Sequence, residues 1–137
     1  MSSSTNLQVA KTFLTKVGSG ASPDELAALF SPDIDWNIPG DGGVLPWVGH
    51  KTGRQAVADF ARDSARMIEH INFEVDDVLA NGDRAVILAG LSTRIKSSGR
   101  IIDTAFAIVL TIVGNEITRF VMLEDSFKTS KAVRDGA

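Results

Sequence analysis

The spacing of the apolar residues changes once along this chain, and that change is the strongest constraint on its fold. In the first half, apolar residues recur every three or four positions, at Leu7, Ala10, Phe13, Leu14 and Val17, and again at Val57, Phe60, Ala61, Met67 and Ile68. After the second helical segment the period becomes two, since Ile71, Phe73 and Val75 alternate with polar residues, and the longer apolar runs that follow are typical of buried strands. Helices collected early and strands collected late predict an α+β domain, with helices on one face of the sheet.

Local signals divide the chain into elements. The stretch "SPDE", from Ser22 to Glu25, predicts a helix start with Ser as N-cap, Pro at the first helical position and Glu three residues after the cap. "DIDWNIP" is typical of a short strand, and turn signals at residues 81–83, 96–100 and 114–115 separate four long antiparallel strands. A curved antiparallel sheet wrapped around N-terminal helices would form a cone. We expect tails at both ends, and a single domain over residues 1–137 with an ordered core at about residues 5–128.

Composition excludes several function classes. The chain has 137 residues, a net charge of −3 and 14 scattered Lys and Arg residues, which argues against nucleic-acid or membrane binding. It has no cysteine, and two histidines without clustered acids make no credible metal site, so we predict neither a metal nor another cofactor. The N-terminus lacks a signal peptide and "AFAIVL" is too short to span a bilayer, so a cytoplasmic location is expected.

The stretch "ITRFVMLEDSF", residues 117–127, ends a strand in two adjacent carboxylates. Regular alternation places Asp125 on the face of Val121 and Leu123, and Glu124 on the opposite face. A carboxyl that faces an apolar pocket loses hydration, which raises its pKa towards neutrality and suits it to proton transfer. We therefore predict Asp125 as a catalytic acid and base; the alternative is that it caps the following turn.

Other candidate site residues lie around the glycine-rich segment at residues 40–53, because a loop of this length is usually functional or flexible. His50 and Asn37 are predicted as polar helpers of catalysis, since imidazole titrates near neutrality and an amide can hold a water molecule or a carbonyl. The predicted ligand-binding residues are Trp36, Trp47, Leu123 and Phe106. His70, at the expected end of a helix, is interpreted as structural.

The ordered set of motifs "LFSPDIDWNIPG", "GHKTGRQAVADFARD", "DVLANGDRAVILAG" and "FAIVLTIVGNEITRFVMLED" resembles the NTF2-like superfamily, in its SnoaL-like and ketosteroid-isomerase-like branch. The resemblance covers about residues 7–127. It implies a cystatin-like α+β cone with one deep pocket and a homodimer formed through the outer sheet face, where Phe120 and Met122 are expected. It leaves the activity open, because this fold hosts many functions.

Within that branch, the resemblance to SnoaL-like polyketide cyclases is the strongest, because Asp125 matches their acid at the end of the last strand. Ile108 stands near the place of their mid-strand His. Ketosteroid isomerases have an acid before the first-strand Pro, where this chain has Ile38, and a Tyr, which this chain lacks. Limonene-type epoxide hydrolases match at Asn37 and Asp125, but their Arg-x-Asp motif is absent.

The sequence therefore predicts a cofactor-independent enzyme of isomerase or cyclase type that acts on a small apolar carbonyl or polyketide-like molecule. The first alternative is a non-catalytic domain that binds a small apolar ligand. An epoxide hydrolase and a protein-interaction module are further alternatives.

Overall fold

The structure, a computed structural model, describes residues 3–40, 45–125 and 131–134. In order, its elements are α1 (Ser3–Gly18), α2 (Pro23–Ala27), β1 (Phe30–Ile38), β2 (Gly49–Thr52), α3 (Arg54–Met67), β3 (Ile68–Asn81), β4 (Arg84–Ile95), β5 (Ile101–Val113) and β6 (Glu116–Glu124). Helices precede the four long strands, which confirms the predicted α+β class. No described helix is both long and apolar enough to cross a lipid bilayer.

The strands form one curved, open sheet in the order β2-β1-β6-β5-β4-β3. Neighbouring strands are antiparallel except β1 and β6, which run parallel. The sequence predicts an antiparallel sheet and does not indicate this one parallel pair. The helices pack on one face: α1 contacts β3, β4 and β5, and α3 contacts β1, β2 and β3. The inner face of the sheet and the helices together enclose the apolar core.

Side-chain hydrogen bonds fix both N-terminal helices. The Ser22 hydroxyl accepts a hydrogen bond from the backbone N–H of Glu25 at 3.2 Å, which confirms the predicted N-cap. The Asn6 amide donates to the carbonyl of Gly82 at 2.7 Å and so ties α1 to the turn between β3 and β4. Helix α1 begins at Ser3, so the expected N-terminal tail at residues 2–4 is wrong for its last two residues.

An aromatic cluster joins α1 to the sheet. The Trp36 and Phe120 rings stack with centroids 4.1 Å apart and planes 5° from parallel. Phe13 of α1 meets Phe120 edge-on at 6.1 Å, and Phe30 packs against both Phe13 and Trp36. Burial of such rings is among the largest apolar contributions that single residues make. This cluster holds β1, β6 and α1 together.

The outer face of the sheet carries exposed apolar side chains, among them Leu79, Leu88 and Leu123. Phe120 and Met122 are not among them: Phe120 is buried in the core and Met122 is half-buried on the inner face, so their expected outer position is wrong. Homodimerisation through the outer face stays a prediction.

Part of the expected C-terminal tail is helical. Residues 131–134 form one helical turn, where the sequence predicts a tail. Ala132 is only 5% exposed and packs with Ile95 and Ile102, at the ends of β4 and β5 that adjoin each other. The chain therefore returns to the sheet after β6 and covers apolar side chains at that edge.

Replacing Ala132 with Asp should destabilise the protein, because the variant places a charge against Ile95 and Ile102. We expect a loss of about 1–3 kcal/mol in the free energy of unfolding, measured by urea denaturation. The matched control is Ala65→Asp on the exposed side of α3, which should cost less than about 1 kcal/mol through helix propensity alone. Equal losses in both variants would mean that residues 131–134 do not pack on the sheet in solution.

Candidate functional site

A cavity of about 100 Å³ lies between the helices and the inner face of the sheet. Its wall is mainly aromatic, formed by Phe13, Trp47, Phe60, Phe73, Phe106 and Phe120. Aliphatic side chains such as Leu91 and Ile108 fill the spaces between the rings. A concave apolar surface with a few polar groups is the usual form of a small-molecule site.

In the described part of the chain, four polar side chains line this cavity, one on each of β3, β4, β5 and β6. In that order they are His70, Thr93, Thr104 and Glu124. His70 lies directly opposite Thr93 in the β3–β4 register. Glu124 lies opposite Phe106, two residues after Thr104 on the same face of β5. Hydrogen-bonding groups are thus collected on the strands, while the helices contribute only apolar side chains.

Glu124 faces the cavity because β6 contains an irregularity. From Leu110 to Ile112, two steps along β5 lie opposite three steps along β6, from Phe120 to Ile117. The extra residue reverses the alternation, so that Ile117 and Phe120 are both buried. All side chains beyond this point exchange faces relative to a regular strand, which turns Glu124 inward.

Burial raises the pKa of Glu124 above its ordinary value, and the neighbouring charge of Asp125 raises it further. Both causes disfavour the ionised carboxylate. In the described part of the chain, no salt bridge or hydrogen bond offsets this loss of hydration. Glu124 therefore has the property that the sequence analysis assigned to Asp125.

His70 is a cavity residue that the sequence analysis assigned to a helix end. Helix α3 ends at Met67 and β3 begins at Ile68, so His70 is the third residue of a strand and projects from its inner face. Burial lowers the pKa of His70, because the apolar side chains of the cavity disfavour the imidazolium ion, even though His70 as a whole is an exposed residue of β3. His70 is two residues after Ile68, so a strand over this segment places both side chains on the same face, and this spacing could have indicated the inward position of His70.

The predicted position of Asp125 is wrong. Asp125 is exposed and does not line the cavity, and Leu123 on the same face is 49% exposed. The turn it was alternatively expected to cap lies outside the described residues. The irregularity in β6 explains the error, since regular alternation from buried Ile117 would turn Leu123 and Asp125 inward.

The predicted helpers also lie away from the cavity. His50 is exposed on β2, and its Nε2 contacts Oδ1 of Asp35, whose other oxygen lies 3.6 Å from Nε of Arg119. Asn37 is half-buried in β1, opposite His50 in the strand register. The structure thus groups both residues at one end of the outer sheet surface. Their catalytic roles stay predictions.

Two of the predicted ligand-binding residues, Trp47 and Phe106, line the cavity. Trp47 packs edge-on against Phe60, with ring centroids 5.8 Å apart, so α3 holds the indole in place. Trp36 belongs to the aromatic core and not to the cavity wall.

Residues 41–44 of the glycine-rich loop lie outside the described residues. Within the described ranges, no three His, Asp or Glu residues are grouped as a metal site would require.

Comparisons with known proteins agree with this architecture. The model of the SnoaL-like domain family matches residues 11–120. An uncharacterised protein of Mycobacterium tuberculosis (strain ATCC 25618 / H37Rv) is 32% identical over 98 residues, which cover 69% of this chain and 70% of that protein. An NTF2-like protein from Burkholderia xenovorans LB400 is 25% identical, with a TM-score of 0.82 and coverage of 97% and 98%.

A further similar structure is a protein from Catenulispora acidiphila DSM 44928 with a ketosteroid isomerase-like fold, in complex with trimethylamine. It is 22% identical to this chain, with a TM-score of 0.71, and the match covers 89% of this chain and 88% of that one. At this level of identity the similarity shows the fold alone.

Replacing Glu124 with Gln should improve stability at alkaline pH. Because the pKa of Glu124 is higher in the native state than in the unfolded chain, the free energy of unfolding falls as pH rises above the unfolded-state pKa, and the loss is complete once pH exceeds the native pKa. Gln carries no charge, so we expect the melting temperature of Glu124→Gln to exceed that of the wild type at about pH 8 and to approach it at about pH 4.

The control is Glu116→Gln, on the same strand but outside the cavity, where the carboxylate forms a partly exposed salt bridge with Arg54. This variant should gain no stability at the higher pH. A Glu124→Gln variant that is less stable than the wild type at about pH 8 would show that the carboxylate is not desolvated.

Proposed function

Because this chain belongs to the SnoaL-like domain family, we propose that it is a cofactor-independent enzyme of isomerase or cyclase type that acts on a small apolar carbonyl compound. The observation that carries the proposal is a single carboxyl group, Glu124, inside an aromatic cavity and with a raised pKa. Glu124 takes the role of general acid and base. It replaces Asp125, which is exposed, in that role.

The proposed reaction begins with removal of a proton from the carbon next to the substrate carbonyl. Glu124 accepts this proton as a carboxylate, the C–H electron pair forms the enolate, and the carboxylic acid then returns the proton to carbon. A raised pKa favours this exchange, since the carboxylate becomes a stronger base than an exposed carboxylate. An isomerase returns the proton at a different carbon, and a cyclase uses the enolate to form a C–C bond.

His70 is the proposed hydrogen-bond donor to the oxygen that develops negative charge. Its lowered pKa keeps the imidazole neutral near physiological pH, and a neutral imidazole has one N–H available. The Thr93 hydroxyl, opposite His70, offers a second polar contact. Donors that are already in place in a cavity of low polarity stabilise such charge more effectively than water does.

The aromatic wall supports the same proposal. Six aromatic and seven aliphatic side chains line the cavity together with the polar groups and reduce the contact of those groups with bulk water. Exclusion of water strengthens each electrostatic interaction in the site and protects an enolate from stray proton transfer. The volume of about 100 Å³ favours a substrate of about one ring.

A second candidate function is binding of a small apolar ligand without catalysis. It is favoured by one observation: in the described part of the chain, no hydrogen bond orients the Glu124 carboxylate. Asn37 and Asp125, on which the comparison with epoxide hydrolases depends, do not line the cavity. That comparison therefore gives no support to a hydrolase.

Exchange of the α-hydrogens of cyclohexanone in D₂O tests the enzymatic proposal, because enolisation is common to isomerases and cyclases. With the wild type, we expect ¹H NMR to show exchange faster than in buffer alone. Glu124→Gln should lower the protein-dependent rate by about 100- to 10,000-fold, the usual contribution of a positioned acid or base. Glu116→Gln should retain the wild-type rate.

The pH profile adds an independent measurement. The wild-type rate should rise with pH as the Glu124 carboxylate ionises, since the ionised form is the base. Asp125→Asn removes a charge that raises the pKa of Glu124, so this variant should shift the rise to lower pH and keep a measurable rate. Equal exchange rates for the wild type and Glu124→Gln would refute proton transfer by Glu124 and favour the ligand-binding function.

A further inference from the structure

The cavity contains no positive side chain among the described residues that line it. None of them is Lys or Arg, although the chain has 14 such residues. The two titratable groups in the wall are Glu124 and His70. Burial lowers the pKa of His70, so its neutral form is favoured, and a neutral imidazole offers an anion one N–H but no positive charge.

We propose that this cavity selects uncharged molecules of about one ring that carry a hydroxyl or carbonyl group, and that it rejects carboxylates of the same shape. The geometry supporting this is an acid projecting from β6 into a cavity whose described lining residues include six aromatic side chains and no Lys or Arg. The inference rests on the proposed function only in taking this cavity as the ligand site.

A ligand carboxylate would meet two penalties in this cavity. It would lose its hydration without gaining a salt bridge, and buried charges are tolerated only when they are paired. It would also approach Glu124, and two carboxylates that share a site cannot both remain ionised without mutual repulsion. An uncharged hydroxyl or carbonyl group avoids both penalties, because it can exchange hydrogen bonds with Glu124, Thr104 or Thr93.

A ligand ammonium group would meet a different balance. It could pair with ionised Glu124 and contact the faces of the aromatic rings. Pairing would nevertheless require both the ammonium and the carboxylate to lose water, and the attraction in such buried pairs often fails to exceed that cost. We therefore expect an amine to bind more weakly than an alcohol of the same size.

Three probes that share one benzene ring and differ in charge test the expected order of affinities. They are benzyl alcohol, benzoate and benzylammonium. Binding to the full chain near neutral pH can be followed by fluorescence of Trp47, which lines the cavity, and by calorimetry. We expect benzyl alcohol to bind at least about tenfold more tightly than benzoate, which corresponds to one missing charge partner of modest strength. Benzylammonium should lie between the two.

Variants separate the effect of charge from that of shape. Glu124→Gln should retain binding of benzyl alcohol and narrow the gap between benzyl alcohol and benzoate, because repulsion by the carboxylate is gone. Glu116→Gln, outside the cavity, should leave all three affinities as in the wild type. Phe106→Ala should weaken benzyl alcohol and benzoate by similar factors, since it removes wall area that both ligands contact.

Three results would overturn the proposal: benzoate binding as tightly as benzyl alcohol, benzylammonium binding more tightly than benzyl alcohol, or no binding of any probe. The probes do not react, so the outcome is independent of catalysis. If cyclohexanone exchange is absent but the order of affinities holds, the enzymatic proposal fails and the selection of uncharged ligands stands. If cyclohexanone exchange occurs but the order of affinities fails, the enzymatic proposal stands and the selection of uncharged ligands is refuted.

Discussion

Stacking of Trp36 on Phe120 is the interaction on which the rest of the structure depends. The two rings are neighbours in the parallel pairing of β1 with β6, and Phe13 of α1 packs against the edge of the stack. Large rings that bury each other in this way cannot be turned outward without exposing much apolar area. Because Phe120 must face inward, so must Met122 and Glu124, the next two residues on the same face of β6. A packing requirement thus places an acid in the cavity.

The position of Glu124 in the cavity disfavours its ionised form and, for the same reason, makes its carboxylate a stronger base. The native state raises the pKa of Glu124 because it withholds water and because Asp125 lies next in the chain. A group held in this way reduces stability once ionised, and it is a stronger base than an exposed carboxylate. Titratable groups with such shifts are concentrated in functional sites, although structural causes also exist. His70 is shifted in the opposite direction by the same burial, so the neutral form of both groups is favoured.

Much of the fold could be predicted from the sequence, whereas the site could be predicted only in part. The Ser22 cap, the turns and the switch from helical to alternating spacing depend on residues close together in the chain, and the structure confirms them. Trp47 and Phe106 line the cavity as expected. The inward acid was assigned to the wrong neighbour, because one additional residue in β6 reverses every later side chain and both faces of that strand are apolar. The inward position of His70 was not predicted, because the helical spacing of the apolar residues continues to Ile68 whereas α3 ends at Met67.

The sequence by itself determined which side chains are available to the fold and the order of the elements. Aromatic residues, two adjacent acids and the absence of cysteine are present whatever the chain folds into, and the local periods decide which segments are helices and which are strands. Only the tertiary structure decided which of the two acids lines the cavity. The choice depends on the register of β6 against β5 and on the ring stack with β1, and these contacts join residues far apart in the chain. Alternation defines two faces, but only packing against another element tells which of them is the interior.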